Sequence, residues 1–99
     1  MKTVYTTVPR EDAEEMARAL VEEQVAACVN LHPVDSVYRW EGEVVEDEET
    51  ALDVKTTLPY DEVERRIVEL HPYDVPAVIG YDVDDVLEEY GEWVEDCCR

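Results

Sequence analysis

The stretch His71-Pro72-Tyr73-Asp74-Val75-Pro76 decides how this chain is read. Two prolines stiffen a run that carries an imidazole, a phenol and a carboxylate. Proline fixes φ and disfavours helix at the residue before it, so the backbone here is rigid and extended. Upstream, Tyr60, Val63, Ile67 and Leu70 recur at helical spacing, and that helix stops at Pro72. Downstream, Ala77 to Asp82 is a short apolar run that reads as a strand. The segment is a joint between a helix and a strand, and it holds several polar groups in fixed places. Such a joint serves either as a helix stop with packed rings or as a loop that carries function.

Working outward, Pro59 suits the first turn of the helix before the joint. Ahead of it lies a strand from Val44 to Leu58, interrupted by the acidic run Glu46 to Glu49. Glu41-Gly42-Glu43 is a tight turn in which Gly42 is free to take positive φ. The strand before that turn runs from Ala26 to Leu31, breaks at Pro33 and resumes from Ser36 to Trp40. At the front, Lys2 to Val8 is strand-like, and Pro9 opens a helix near Arg10 whose apolar face is Ala13, Met16, Ala17, Leu20 and Val21. Beyond the joint, Val83, Val86, Leu87, Tyr90, Trp93 and Val94 mark a third helix from about Asp84. The order is βαββαβ plus a terminal helix, an α+β, ferredoxin-like arrangement in one domain spanning residues 1–99. Two helices cover one sheet face in that topology. Tyr5 opposes Val4, Ile79 opposes Val78, and Cys28 opposes Ala27 and Val29, so the second face is apolar or aromatic as well. One short helix cannot shelter it, which implies burial against other copies of the chain in an obligate homo-oligomer.

Charge narrows the partners. The formal net charge is −19, and only Lys2 and Lys55 are lysines. Such a surface repels nucleic-acid phosphate and anionic lipid. It suits a salt-rich cytoplasm, because at about 1 M salt the Debye length is about 3 Å and carboxylate repulsion is screened. Scattered carboxylates hold divalent cations only weakly, since a hard-cation site needs converging oxygens. No apolar run is long enough to span a bilayer, and the chain starts in a strand-like pattern rather than a signal-like one, so a cytoplasmic setting is expected. Three cysteines, Cys28, Cys97 and Cys98, form no disulfide framework.

Several residues carry chemistry. Cys28 is either a small buried hydrophobe or, as a thiolate, a ligand for copper or zinc. Asn30 and His32 share its strand face, although Cys28 and His32 stand about 13 Å apart along the axis. His71 is either a metal ligand or proton carrier, or an imidazole packed at a helix end. Lys55, isolated in a lysine-poor chain, is expected to pair with a carboxylate at a subunit boundary, with Asp53 as its same-face neighbour. Tyr38 and Trp40 share a face near the hairpin turn and either pack on a neighbouring subunit or wall a pocket, and Tyr73, Tyr90 and Trp93 read the same way. No nucleophile–base–orienter set, phosphate-binding glycine loop or zinc-type spacing is visible, so a non-enzymatic role is expected.

Four blocks stand in register: Ala26-Ala27-Cys28-Val29-Asn30, Ser36-Val37-Tyr38-Arg39-Trp40-Glu41-Gly42, Leu52-Asp53-Val54-Lys55-Thr56-Thr57 and the joint His71 to Pro76. With the helix Ala13 to Leu20 and the ending Tyr90-Gly91-Glu92-Trp93, the chain closely resembles the CutA family of divalent-cation tolerance proteins over nearly its whole length. That resemblance implies a ferredoxin-like fold assembled as a tight trimer, similar in architecture to nitrogen-regulatory PII proteins, and a link to copper and other divalent metals. Three departures stand out: Ala77 where relatives commonly carry Glu, His32 and Val34 around Pro33, and the Cys97-Cys98 pair.

Three functions are therefore weighed. The first is a non-enzymatic homotrimer that binds or responds to a divalent metal ion such as copper, with Cys28 and His71 as ligands in clefts between subunits. The second is a PII-like small-molecule sensor that holds an anionic ligand through Arg39 and Lys55, walled by Tyr38, Trp40 and Tyr73. The third is an interaction scaffold that uses the C-terminal helix and its cysteines.

Overall fold

A computed structural model describes all 99 residues. The order is β1 (Lys2–Pro9), α1 (Arg10–Glu22), β2 (Cys28–Trp40), β3 (Glu43–Thr56), α2 (Tyr60–Leu70), β4 (Val78–Asp82) and α3 (Glu88–Cys97). The four strands form one sheet in the order β2-β3-β1-β4, every neighbouring pair antiparallel. This is the expected split arrangement, in which β3 lies between β2 and β1.

Alternation along the strands builds the core. Val4, Val8, Leu52 and Val54 point to one face and are fully buried. Ala13, Met16, Ala17 and Leu20 of α1 and Val63 and Ile67 of α2 close over them in a single cluster. Val21, expected on the buried stripe of α1, lies at its edge and is exposed. The helix ends in a Schellman-type cap. Gln24 takes φ 61°, its N–H reaches the Val21 carbonyl at 3.1 Å, and the Val25 N–H reaches that of Leu20 at 3.0 Å. Glu41 (φ 50°) and Gly42 (φ 80°) form the two-residue β2–β3 turn, whose paired positive φ values match strand twist.

The structure corrects several boundaries: β2 begins at Cys28 rather than Ala26, and β3 ends at Thr56 rather than Leu58. β2 runs unbroken through Pro33, because β2 is the edge strand and a residue without an N–H can face away from its one neighbour. β3 likewise continues through Glu46 to Glu49, paired with β2 along its whole length. β1 covers β3 only as far as the Pro9↔Glu49 pair, so the distal half of the hairpin projects from the sheet and its acids face solvent. β4 begins at Val78 rather than Ala77. α3 begins at Glu88, not near Asp84, and the Val83 N–H instead meets the Met1 carbonyl at 3.2 Å.

The second sheet face is only partly apolar. Tyr5, Ile79 and Tyr81 lie on its β1–β4 side, whereas Asn30, His32, Asp53 and Lys55 give the β2–β3 side a polar surface. The α3 helix covers one end, where Val94, Cys98 and Ala27 form a small cluster with Met1, Leu58, Tyr90 and Cys97. Ile79 and Tyr81 stay 44% and 55% exposed.

Candidate functional site

The joint between α2 and β4 is held by three hydrogen bonds that involve side chains, all from residues of its first half. His71 caps the end of α2 in an extended conformation and is 9% exposed. Its Nε2 lies 2.9 Å from the Thr7 carbonyl, and its Nδ1 accepts the Tyr73 N–H at 3.2 Å. A carbonyl can only accept, so the proton sits on Nε2 and the ring is neutral. Burial pushes the imidazole below its usual range, opposed by the Thr7 carbonyl and by the carboxylates of Glu49 and Asp12. Tyr73 stacks at a tilt on His71, with ring centroids 4.9 Å apart. Its hydroxyl donates to Glu49 Oε2 at 2.7 Å. Burial, reinforced by that bond, raises the Tyr73 phenol far above its ordinary range, so it stays protonated and remains a donor.

Glu49 anchors the floor. It is 4% exposed, yet its carboxylate accepts only the Tyr73 hydroxyl and pairs with no cation. Arg10 passes close by without neutralising it: Nε reaches the Glu49 backbone carbonyl at 3.5 Å, and Nη1 reaches Glu48 at 3.4 Å. Around Glu49 opens a cleft of about 600 Å³ between the joint, the hairpin and the second sheet face. Tyr5, Tyr38, Trp40 and Tyr73 supply aromatic walls, and Asp74 is a second carboxylate on its lining. Ala77 lines it too, and its small side chain leaves space there. Tyr38 donates its hydroxyl to Asp47 beside the cleft, and that bond raises its own phenol's pKa.

The structure gathers Tyr38, Trp40 and Tyr73 but not the two cations grouped with them. Arg39 alternates with Tyr38 and Trp40, so it faces away from the cleft, and its Nη1 contacts the Gly42 carbonyl at 3.4 Å. Lys55 sits opposite Cys28 at the far end of β2, roughly 35 Å along the strand from Arg39. Its ammonium bonds the Asn30 side-chain oxygen rather than Asp53. Asp53 instead faces His32 at 3.6 Å. The reason is register: Asn30 is the cross-strand diagonal neighbour of Lys55, and the long lysine side chain reaches across the ladder rather than along its own strand.

Cys28 and His71 are also held apart. Cys28 lies in the row of Lys55 and Thr3, whereas His71 contacts Thr7, about 13 Å further along β1. Cys28 is half-buried beneath α3, next to Tyr90, whose phenol is raised first by burial and then by the neighbouring thiol. No three side chains of His, Cys, Asp or Glu converge within one chain. A metal at His71 would have to displace one of the two bonds that occupy its ring nitrogens. Cys98 is buried beside the Thr56 hydroxyl at 3.8 Å, and Cys97 is half-buried. Glu49 escapes a reading of the sequence alone, where it belongs to an acidic interruption. The signal was its parity, since period two puts Glu49 on the face of Tyr38 and Trp40.

The family model for the CutA1 divalent ion tolerance protein matches residues 2–97. The divalent-cation tolerance protein CutA of Pyrococcus horikoshii is 47% identical over 95% of this chain and 94% of its own length. That of Thermus thermophilus is 45% identical over 96% and 95%. Among solved structures, the PII-like protein CutA from Nostoc sp. PCC 7120 superposes with a TM-score of 0.95 at 42% identity, covering 100% of this chain and 98% of that one.

Proposed function

This chain belongs to the CutA1 divalent ion tolerance family, and from that premise we propose that it acts as a non-enzymatic homotrimer that binds or responds to divalent metal ions such as copper, in the cytoplasm. The observation that carries the assembly is the second sheet face, where α3 shelters one end and Ile79 and Tyr81 are left exposed. Burying that aromatic side of the sheet against other copies removes apolar surface from water and brings donors from several chains together. The lack of a converging donor set within one chain fits that arrangement, since a metal site then draws on more than one copy. Cys28 supplies the soft thiolate of the site. His71 takes the second position only by giving up the Tyr73 N–H that its Nδ1 accepts. Copper titration of the pure protein and of Cys28→Ser and His71→Ala variants tests this. Loss of binding in Cys28→Ser is expected, and unchanged binding in both variants removes the assignment. Light scattering in concentrated KCl should return three times the 11.4 kDa chain mass, and a folded monomer removes the assembly.

A second reading, a PII-like small-molecule sensor, draws support from the aromatic cleft and from the Nostoc protein. Within one chain neither Arg39 nor Lys55 lines that cleft, so the cations that an anionic ligand needs would come from another copy. A thermal-shift screen of small organic ligands separates a sensor from a metal binder.

A further inference from the structure

We propose that His32 and Asp53, side by side on the second sheet face, hold a borderline divalent cation of the zinc type, whose remaining ligands come from outside the chain. This site rests on the metal-responsive reading but uses neither Cys28 nor His71. Three features mark it. His32 Nδ1 lies 3.6 Å from Asp53 Oδ2, too far for a hydrogen bond. Nitrogen and oxygen ligands of a tetrahedral zinc ion stand about 3.4 Å apart, so one ion fits between the two groups with little movement. The chain has two histidines, and they differ in what is left to bind. Both ring nitrogens of His71 are occupied, by the Thr7 carbonyl and the Tyr73 N–H, whereas no hydrogen bond within the chain engages the ring of His32. Asp53 in turn has no lysine or arginine paired to it, because the Lys55 ammonium two residues along β3 bonds the Asn30 side-chain oxygen instead. An imidazole beside an unneutralised carboxylate suits a borderline ion, where a hard one needs about six to eight oxygens.

Register builds the pair. Asn30 stands opposite Asp53 and Ala51 stands opposite His32, so imidazole and carboxylate are diagonal neighbours across β2 and β3. Ala51 is small and leaves the ring room to lean toward Asp53. Pro33 follows His32 and restrains its backbone to the extended region. The proposed assembly turns this face toward other copies, so the pair belongs to an interface rather than to free surface. Two donors leave two tetrahedral positions open, which the facing copy or enclosed water fills.

The test is titration of zinc chloride into the intact assembly at about pH 7.5, under reducing conditions, in KCl with excess magnesium chloride to saturate the diffuse acidic surface. Histidine ring resonances are the readout, since only two rings contribute and His32→Gln assigns them. The His32 ring should shift saturably with zinc, with a Kd of about 0.1 mM or tighter. Asp53→Asn should weaken this by about ten-fold, and so should lowering the pH to about 5.5, where protons compete for the imidazole. Arg65→Ala on α2 should leave it unchanged. Neither His32 nor Asp53 belongs to the core cluster, so these variants leave the core intact. A His32 ring that zinc does not move overturns the proposal, as does equal affinity in Asp53→Asn. Copper binding by Cys28→Ser decides the thiolate assignment alone, so the two sites fail separately.

Discussion

Replacing His71 by glutamine should change how stability depends on pH, more than it changes stability at neutral pH. The folded imidazole titrates below its ordinary value because it is buried. A depressed folded pKa means that the unfolded chain takes up the proton first. The stability His71 contributes is therefore present above the unfolded pKa of about 6.5 and is lost as pH falls toward the folded value. Between about pH 7.5 and 5.5 the unfolded ring passes from mostly neutral to roughly nine-tenths protonated, and a folded ring held neutral throughout would lose about 1.4 kcal/mol. The ring is incompletely shielded from solvent, so screening trims this to about 0.7 kcal/mol. Glutamine cannot titrate, keeps an N–H for the Thr7 carbonyl, and leaves the Tyr73 N–H without its acceptor, at a cost of about 1 kcal/mol. Urea unfolding at one protein concentration, in KCl that screens the surface carboxylates, reads both proteins at both pH values. His32 and the carboxylates are common to the two and cancel. The deficit of His71→Gln should be about 1 kcal/mol at the higher pH and shrink to about 0.3 kcal/mol at the lower. A deficit that stays constant or widens refutes the assignment of a buried, neutral His71.

Thr6→Val should raise the unfolding free energy measured in urea by about 1 kcal/mol, because the Thr6 hydroxyl is buried in the core without a hydrogen-bond partner. A loss of stability would mean that the hydroxyl has a partner. Gly80→Ala should cost about 1–3 kcal/mol. Its new Cβ would stand 2.7 Å from Tyr60 Cδ1, and that ring is pinned by its hydroxyl on the Val78 carbonyl at 3.0 Å. A neutral result by the same assay would show that the ring is free to shift. Raising KCl from about 0.1 M to about 1 M should increase the melting temperature by roughly 5 °C or more, since the chain carries −19 and the Debye length contracts from about 10 Å to about 3 Å. A flat response in a thermal scan would count against the salt-rich setting.

Local pattern was enough to determine the order of elements, the helix faces and most of the core. The spacing of Ala13, Met16, Ala17 and Leu20, and of Val63 and Ile67, reports burial because helical period and core contact are tied together within a few residues. The Glu41-Gly42 turn is equally local, set by which residues tolerate positive φ. The four blocks in register likewise carried the family, which the full-length match then showed. What the tertiary structure decided was convergence. Pro33 breaks a strand or passes harmlessly depending on whether β2 lies at an edge, and sheet order is not a local property. Lys55 prefers Asn30 to Asp53 because of cross-strand register, which linear spacing does not contain. Glu49 looked like one acid in a run of four, and only the pairing of β3 with β1 and the reach of Tyr73 turned it into a buried charge at the floor of a cleft. Each of these outcomes depends on residues tens of positions apart meeting in space, so the physics that set them acts between elements rather than within them.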